Sequence, residues 1–319
     1  MSATLRVKPK REIHPGDFIF SWALKILAFG MVALLALIVI FLAKGALPAI
    51  HKFGFSFLRG TDWDPVRESF GALPVIFGTV FSSFIAILLA APLSVGVALF
   101  LNELAPNRIA RIVGFLVEML AAIPSVVYGL WGIFVLAPLL RVYVEPALGK
   151  TLGFLPLFRG APYGLGMLAA GVILAIMIIP TIASISREIF RAIPRVQREA
   201  ALGLGATRWE MMKLAVLKSS KTGIFGAVTL GLGRALGETM AVTMLIGNRA
   251  EISASLFAPG QTMASVIANE YSEATGDVHL ASLILVGLSL FGVTFVINSL
   301  ARLMVMRSVK RGGSQSRAR

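Results

Sequence analysis

Two charged residues, Arg234 and Glu238, interrupt an apolar run that extends from residue 223 to residue 247. Residues four positions apart lie on one face of an α-helix, so the guanidinium and the carboxylate are expected to meet within one turn. Charges inside a bilayer are costly and usually mark a pathway or an ion site. Arg keeps its proton and offers five N–H donors in a planar fork that matches a tetrahedral oxyanion. We therefore expect Arg234 and Glu238 to form a site of anion translocation.

The position of Arg234 in its apolar run supports this interpretation. Arg234 lies about three turns beyond Gly223, roughly 16 Å into the membrane and thus near its centre. Glu238 can hold the guanidinium while the site is empty, and an incoming anion can then compete for it. The alternative is a buried Arg–Glu pair that fixes only helix packing. Three nearby glycines favour close packing of this helix against a neighbour, and they are Gly231, Gly233 and Gly237.

The composition indicates which elements must hold these charges. Of the 319 residues, 57% are hydrophobic and 14% are charged, whereas soluble domains carry about 25% charged residues. The chain is therefore predicted to be an integral membrane protein. The absence of Cys excludes disulfides, thiolate metal sites and a thiol nucleophile. The three His residues are far apart in the sequence, so we expect no metal site, and no feature of the chain calls for a cofactor.

Six apolar runs predict an all-α, polytopic membrane protein with six transmembrane helices. Each run is about long enough to cross a ~30 Å hydrocarbon core at ~1.5 Å per residue. The first helix is predicted at residues 18–44, an extracytoplasmic segment at 45–72, and the remaining helices within 73–305. Because the third run is long and contains Pro124, that helix is expected to be tilted or broken. The runs cover residues 18–43, 75–101, 112–140, 163–186, 223–247 and 280–301.

The distribution of Lys and Arg predicts the orientation. The net charge is +14, and the basic residues are concentrated on one side of the predicted topology, in segments 1–17, 187–222 and 302–319. By the positive-inside rule this side is cytoplasmic. Residues 1–17 and 306–319 are thus expected to form cytoplasmic tails, and the spread of charge indicates membrane topology rather than a nucleic-acid-binding face.

Four polar residues near the predicted spans are candidates for lining a pathway. Glu118 lies about two turns from the cytoplasmic end of the third run, where it either pairs with Arg234 or reaches the interface. Ser125 and Tyr128 follow Pro124, and Thr239 follows Glu238. For the residues near Pro124, packing around a broken helix is the alternative explanation.

The polar segment 187–222 contains a second informative pattern. Its residues 199–205 read Glu-Ala-Ala-Leu-Gly-Leu-Gly, a short helical patch of small residues that ends in glycine. Thr207 and Glu210 have the spacing of a capping box, which predicts the start of another helix. The largely apolar residues 211–217 are expected at the membrane surface. The segment therefore reads as a short helix, a tight turn and an interfacial helix.

Residues 199–205 resemble the EAA loop of ABC importer permeases. The resemblance implies a coupling helix that docks into a groove of an ATP-binding subunit. The pattern of that family continues with an Ile and a Pro, and both are absent at the corresponding residues 215–218. The residues assigned to ATPase coupling on this basis are Glu199, Ala200, Ala201, Gly203 and Gly205.

Three longer stretches, residues 121–132, 170–180 and 231–243, resemble the C-type permeases of the phosphate-specific transport (Pst) system. The similarity extends from about residue 14 to residue 307. It implies the transmembrane domain of a type I ABC importer in the bacterial plasma (inner) membrane, with Arg234 and Glu238 in phosphate translocation. The implied partners are a second permease (PstA-like), a dimer of ATP-binding subunits (PstB-like) and an extracytoplasmic phosphate-binding protein (PstS-like).

Other classes of function remain as alternatives. The sequence has no Walker A motif, so ATP hydrolysis is expected in a partner, and the chain is predicted not to be an enzyme. It also lacks His-Glu-x-x-His and Gly-x-Ser-x-Gly, which leaves no catalytic set for a membrane enzyme. A self-contained channel or secondary transporter would not need an EAA-like loop. An importer of sulfate or phosphonate remains open, because Arg alone does not distinguish these oxyanions.

Overall fold

The structure, a computed structural model, describes the backbone of residues 15–316 and the side chains of residues 18–304. It is helical almost throughout. The first half contains α1 (Pro15–Phe53), α2 (Ser56–Arg59), α3 (Leu73–Leu99), α4 (Asn107–Ala121), α5 (Ser125–Trp131), α6 (Ala137–Leu139) and α7 (Glu145–Leu152). The second half contains α8 (Met167–Arg191), α9 (Arg195–Gly203), α10 (Arg208–Met211), α11 (Lys218–Leu236), α12 (Met240–Leu245), α13 (Met263–Glu270) and α14 (Asp277–Ser316).

Wider, π-helical turns join several of these helices into longer rods. One such turn extends α3, two lie among α5, α6 and α7, and one joins α10 to α11; they are Phe100–Leu104, Gly132–Leu136, Leu140–Val144 and Met212–Leu217. A 3₁₀ turn, Pro156–Phe158, follows α7. Two-residue strands, β1 (Trp63–Asp64) and β2 (Ser69–Phe70), form an antiparallel hairpin in which Trp63 faces Phe70.

Five helical stretches within the described residues are long and apolar enough to cross a membrane. The sixth predicted span, residues 223–247, is divided between α11 and α12 instead of forming one long helix. The all-α, polytopic class is confirmed, and six crossings are compatible with this arrangement. The five long stretches cover Phe18–Phe53, Leu73–Leu104, Ser125–Leu152, Met167–Arg191 and Asp277–Met304.

The first helix is longer than predicted. It continues past residue 44 to Phe53, because residues 45–50 are apolar and two of them, Ala46 and Ala49, are buried against the core. The rest of the predicted extracytoplasmic segment 45–72 forms α2 and the hairpin. The predicted tail 1–17 lies mostly outside the described residues, and segment 306–319 is helical as far as Ser316.

The hairpin is anchored to the end of α13 and the start of α14. The indole Nε1 of Trp63 donates to both carboxylate oxygens of Glu270, at 3.1 and 2.9 Å. His279 Nε2 lies 2.9 Å from the same carboxylate, and its ring stacks on Phe70 with centroids 5.2 Å apart. These contacts fix the hairpin against α13 and α14 at one end of the molecule.

Helices α3 and α8 form the centre of the fold. Proline near the first turn of α3 suits a helix start, where the missing N–H costs nothing. Gly171 of α8 lies against Ile85 of α3, so the two helices approach closely. The hydroxyl of Ser94 donates to the Ile179 carbonyl at 3.2 Å, which adds a polar contact between them. This pair is the frame on which α11 and α12 are packed.

The third predicted span, residues 112–140, has the wrong bounds. The expected break near Pro124 is present, since α4 ends at Ala121 and α5 begins at Ser125. The rod that begins there continues past residue 140 to Leu152, through residues expected to form a connection. It tolerates Glu145 because this buried carboxylate accepts a hydrogen bond from the Gly164 backbone N–H at 3.0 Å.

The contact between α3 and the segment before α13 provides a test of the packing. A Cβ atom at Gly78 would overlap the backbone carbonyl of Gln261, whereas a Cβ at Gly96, on the same helix, meets open space. We expect Gly78→Ala to destabilise the protein by about 1–3 kcal/mol, because backbone must move to admit the methyl group. Thermal unfolding of the detergent-solubilised chain measures the effect.

The matched control is Gly96→Ala, which adds the same methyl group to the same helix without a clash. It is expected to leave the midpoint unchanged or to raise it slightly, because Ala has the higher helix propensity. Equal midpoints for the two variants would show that α3 does not approach Gln261 as described.

Candidate translocation site and coupling surface

The segment that carries Arg234 is a broken helix. Helix α11 ends at Leu236, Gly237 follows as its C-cap, and α12 begins at Met240. The prediction that Arg234 and Glu238 share one face of a continuous helix is therefore wrong, because Glu238 lies in the break. The ion pairs of side chains 18–304 also do not include one between Arg234 and Glu238.

Arg234 is held by a different partner. Its Nη1 donates to the hydroxyl of Thr181, on α8, at 3.2 Å. Arg234 also lies in the last turn of α11, where the unpaired carbonyls at the helix C-terminus favour a cation. Among side chains 18–304 this is the one hydrogen bond of the Arg234 guanidinium, so most of its five donors have no partner within that part of the chain. The group is half-buried, so these donors remain able to bind an anion.

Thr181 was not among the predicted site residues. It follows Pro180 inside α8, and a proline in a helix leaves a backbone carbonyl without its usual hydrogen bond. A hydroxyl beside an interior proline is the sequence signal that points to this position. Thr181 and the helix break after Leu236 therefore both provide polar groups in the region of Arg234.

The three predicted packing glycines have three different environments. A Cβ at Gly231 would lie 2.7 Å from two side-chain carbons of Ile182, so Gly231 permits close contact with α8. Gly233 faces the amide of Asn298, on α14, at an ordinary contact distance of 3.9 Å. Gly237 is exposed and ends the helix. Only Gly231 therefore has the tight helix contact within this chain that the small-residue pattern predicts.

The residues proposed to line a pathway are only partly brought together. Tyr128 is buried in a cluster with residues of α12, and its hydroxyl donates to the Leu120 carbonyl at 2.8 Å. Ser125 is half-buried at the start of α5. The hydroxyl of Thr239 donates to the Gly237 carbonyl at 3.3 Å, within the break. Tyr128 and Thr239 thus lie near the Arg234 region, and Tyr128 also joins α4 to α5.

Glu118 does not pair with Arg234. Its carboxylate lies 3.7 Å from Nη1 of Arg187, near the end of α8. Arg187 is nearly two helical turns beyond Thr181, about 9 Å along the axis, which separates Glu118 from the Arg234 site. Arg187 also donates to the Ala110 carbonyl at 3.0 Å, and a Cβ at Gly114 would overlap its guanidinium. The contacts of Glu118 and Arg187 hold α4 against α8.

The EAA-like segment forms the exposed helix α9. Glu199, Ala200, Gly203 and Gly205 are exposed, and Ala201 is half-buried because it faces the transmembrane helices. A Cβ at either glycine would meet open space. The surface next to these residues is apolar and unusually open: Leu204 is 90% exposed and Val196 72%. Exposed apolar groups beside small residues are suited to contact with another protein.

A defined turn follows α9. Gly205 has φ +85°, a left-handed conformation that favours glycine. Its N–H donates to the Leu202 carbonyl at 3.0 Å and the Ala206 N–H to the Ala201 carbonyl at 3.1 Å. This pair of bonds is the Schellman pattern, which ends a helix by satisfying its last carbonyls.

The predicted capping box at the start of α10 is confirmed. The Thr207 hydroxyl accepts from the Glu210 N–H at 3.3 Å, and the Thr207 N–H donates to the Glu210 carboxylate at 2.8 Å. These backbone and side-chain hydrogen bonds from Thr207 lower the pKa of Glu210 below its usual value. The box is therefore fully formed above the usual carboxylate pKa and is lost only as pH falls through the lowered one.

Four apolar residues of segment 211–217, which the sequence predicted at the membrane surface, pack against other helices of the protein. Met211, Met212, Ala215 and Val216 are buried in a cluster with Phe190 and the end of α3. The segment connects α9 to the helix that carries Arg234 through one packed unit.

Comparison with known proteins places these features in a family. The profile of the family described as "binding-protein-dependent transport system inner membrane component" matches residues 90–310, which include α8, α9 and the broken helix. The chain belongs to this family. As a member, it is a transport component rather than an enzyme and a multi-pass membrane protein, and it works in an ABC system with other subunits.

Relatives of this transport component carry a more specific name. This chain is 48% identical to the phosphate transport system permease protein PstC of Mesorhizobium japonicum, over 93% of this chain and 92% of the relative. The identity to PstC of Pasteurella multocida is 47%, over 94% of this chain and 95% of the relative. PstC 2 of Mycobacterium tuberculosis is 40% identical, with 92% of both chains covered.

Solved structures with a similar fold include chains of ABC transporters. A chain of a bacterial alginate ABC transporter, solved with an alginate-bound periplasmic protein, superposes with TM-score 0.61 at 15% identity, covering 92% of this chain and 98% of that one. A chain of the MetNI methionine ABC transporter gives TM-score 0.51 at 16% identity, covering 74% and 94%. At these identities the likeness is one of fold alone.

Proposed function

We propose that the chain is a permease subunit of an ATP-driven inorganic phosphate importer and forms half of its translocation pathway. The observation that carries the proposal is the identity of 40–48%, over more than nine-tenths of the chain, to permeases named for phosphate transport. Arg234 supports it, because a half-buried guanidinium with free donors is a suitable contact for a tetrahedral oxyanion.

The chemistry expected at the site is transient binding. Phosphate would take the unused donors of Arg234, and Thr181 offers a hydroxyl on the opposite helix. Glu238 lies in the adjacent break, where its negative charge opposes tight retention of an anion. An anion is therefore attracted into the membrane by Arg234 and is not trapped there.

The proposed partners follow from the exposed surfaces and the missing ATPase chemistry. Because the sequence has no Walker A motif, the energy is supplied by two ATP-binding subunits, one of which docks on α9 and the turn at Gly205. A second permease completes the pathway, and an extracytoplasmic phosphate-binding protein delivers the anion. In this arrangement α9 and both termini lie on the cytoplasmic side of the bacterial inner membrane, in agreement with the basic residues of segment 187–222.

Reconstitution tests the proposal directly. The chain is coexpressed with the second permease and the ATP-binding subunit, placed in vesicles with ATP inside, and supplied with the binding protein and radioactive phosphate outside. We expect phosphate accumulation that requires both ATP and the binding protein. Vesicles without the ATP-binding subunit are the control, and accumulation in them would indicate a channel or a secondary transporter instead. Excess sulfate or a phosphonate should not compete; effective competition would indicate another oxyanion as the substrate.

A further inference from the structure

The contact between α9 and the transmembrane helices contains a largely buried ion pair. Arg198 of α9 reaches Glu103, in the π-helical turn that extends α3, with Nη2 2.8 Å from Oε1 and Nε 3.2 Å from both carboxylate oxygens. The two side chains are 16% and 6% exposed. A paired contact of this kind fixes direction as well as distance. It resists sliding and rotation of α9 relative to α3.

The same guanidinium also binds the end of α8. Its Nη1 donates to the Ile193 carbonyl at 2.6 Å and its Nη2 to the Phe190 carbonyl at 2.7 Å. Both carbonyls lie at or just beyond the last turn of α8, where the regular hydrogen bonding of the helix ends. Arg198 therefore joins three elements: α9, the extension of α3, and the C-terminus of α8.

Helix α9 consequently has two distinct faces. Arg198 and Ala201, three residues apart, face the transmembrane helices, and Ala201 packs against the cluster around Phe190 and Val216. Glu199 and Ala200 are exposed on the other side. Among the described residues of α9, Arg198 is the one whose side chain makes polar contacts with the membrane helices. A force on the exposed face of α9 therefore reaches those helices most directly through Arg198.

Helix α8 extends this connection to the candidate anion site. It is one helix from Met167 to Arg191, and Thr181, which contacts Arg234, lies about 15 Å from the end that Arg198 binds. A helix transmits displacement along its axis as a rigid element. Movement of the α8 end is therefore expected to change the contact between Thr181 and Arg234.

We propose that Arg198 and Glu103 are positioning residues that transmit the movement of α9 to α3 and α8, and through α8 to Arg234. In this proposal the movement of α9 is caused by an ATP-binding subunit docked on its exposed face, and this part rests on the proposed function. The ion pair itself is a property of this chain. Removing one partner leaves a buried charge without compensation, so the connection is strong while both charges are present.

The first test separates coupling from assembly. Arg198→Lys keeps the charge and loses the fork, and Glu103→Gln keeps the size and loses the charge. In vesicles that contain the whole complex, we expect assembly and basal ATP hydrolysis to persist while phosphate transported per ATP falls about tenfold. Arg195→Lys, at an exposed position of the same helix, is the matched control and should match the wild type. Transport per ATP at the wild-type value in both variants would overturn the proposal.

The second test does not depend on phosphate or on assembly. The natural chain has no Cys, so spin labels attach only at introduced cysteines, here Gln197→Cys on α9 and Leu88→Cys on α3, both at exposed positions. We expect a narrow distance distribution that broadens clearly in Arg198→Lys and Glu103→Gln. Narrow distributions in both variants would overturn the proposal, even if the complex proves to transport a different anion. A wild-type complex that does not transport phosphate, with labels that behave as expected, would instead refute only the proposed substrate.

Discussion

Replacing Arg234 with Ala is expected to reduce phosphate uptake by about a hundredfold or more, because the oxyanion would then lose the charge-assisted hydrogen bonds that we propose for this residue. Assembly should persist, because among the described residues the substitution removes one hydrogen bond, the one from Arg234 to Thr181. The measurement is ATP-driven phosphate accumulation in vesicles that contain the complete complex, normalised to the amount of assembled permease.

Two further variants separate charge from geometry. Arg234→Lys keeps the positive charge but cannot donate in a planar fork, so an intermediate uptake is expected. Arg249→Ala removes an Arg that is exposed and paired with Glu251 at 2.9 Å, and it should transport like the wild type. If Arg234→Ala transports normally, the residue serves only the packing of α11 against α8, and the anion passes elsewhere.

The sequence predicted best what depends on neighbouring residues. The capping box of Thr207 and Glu210 needs only a spacing of three residues, and it forms as expected. The break near Pro124 follows from the missing N–H of proline. Arg234 was also identified correctly as an unusual charge in an apolar segment, but its partner was not, because Thr181 is 53 residues away in the sequence.

Other features depend on packing that no local pattern reports. The helix break after Leu236 occurs at a glycine that fits a packing motif equally well. Glu145 lies beyond the predicted end of the third span at residue 140, yet it is buried and accepts a hydrogen bond from the Gly164 backbone. Arg198 and Glu103 are 95 residues apart, and each alone resembles an ordinary charge at a membrane boundary. Such pairs become visible only when the helices that carry them are in place.

The turn at Gly205 is the second place where a single change should have a large effect. Its φ of +85° is unfavourable for residues with a Cβ by about 1–2 kcal/mol, and more so for a β-branched one. Gly205→Val should therefore disturb the Schellman end of α9 and the exposed surface beside it. We expect about a tenfold loss of binding to the ATP-binding subunit, measured by pull-down, with a matching loss of substrate-stimulated ATP hydrolysis.

Two companion variants identify the cause of that loss. Asn tolerates the left-handed conformation, so Gly205→Asn should retain most of the binding if the conformation of the turn is what matters. Gly203→Ala keeps α9 helical and adds one methyl group to its exposed face, where a Cβ meets nothing within the chain. If Gly203→Ala loses binding and Gly205→Asn does not, the exposed face of α9 at Gly203 must contact the ATP-binding subunit directly. Unchanged binding and ATP hydrolysis in Gly205→Val would show that the subunit docks elsewhere. In that case the contacts from α9 through Arg198 to α8 would not transmit the movement of the ATP-binding subunit.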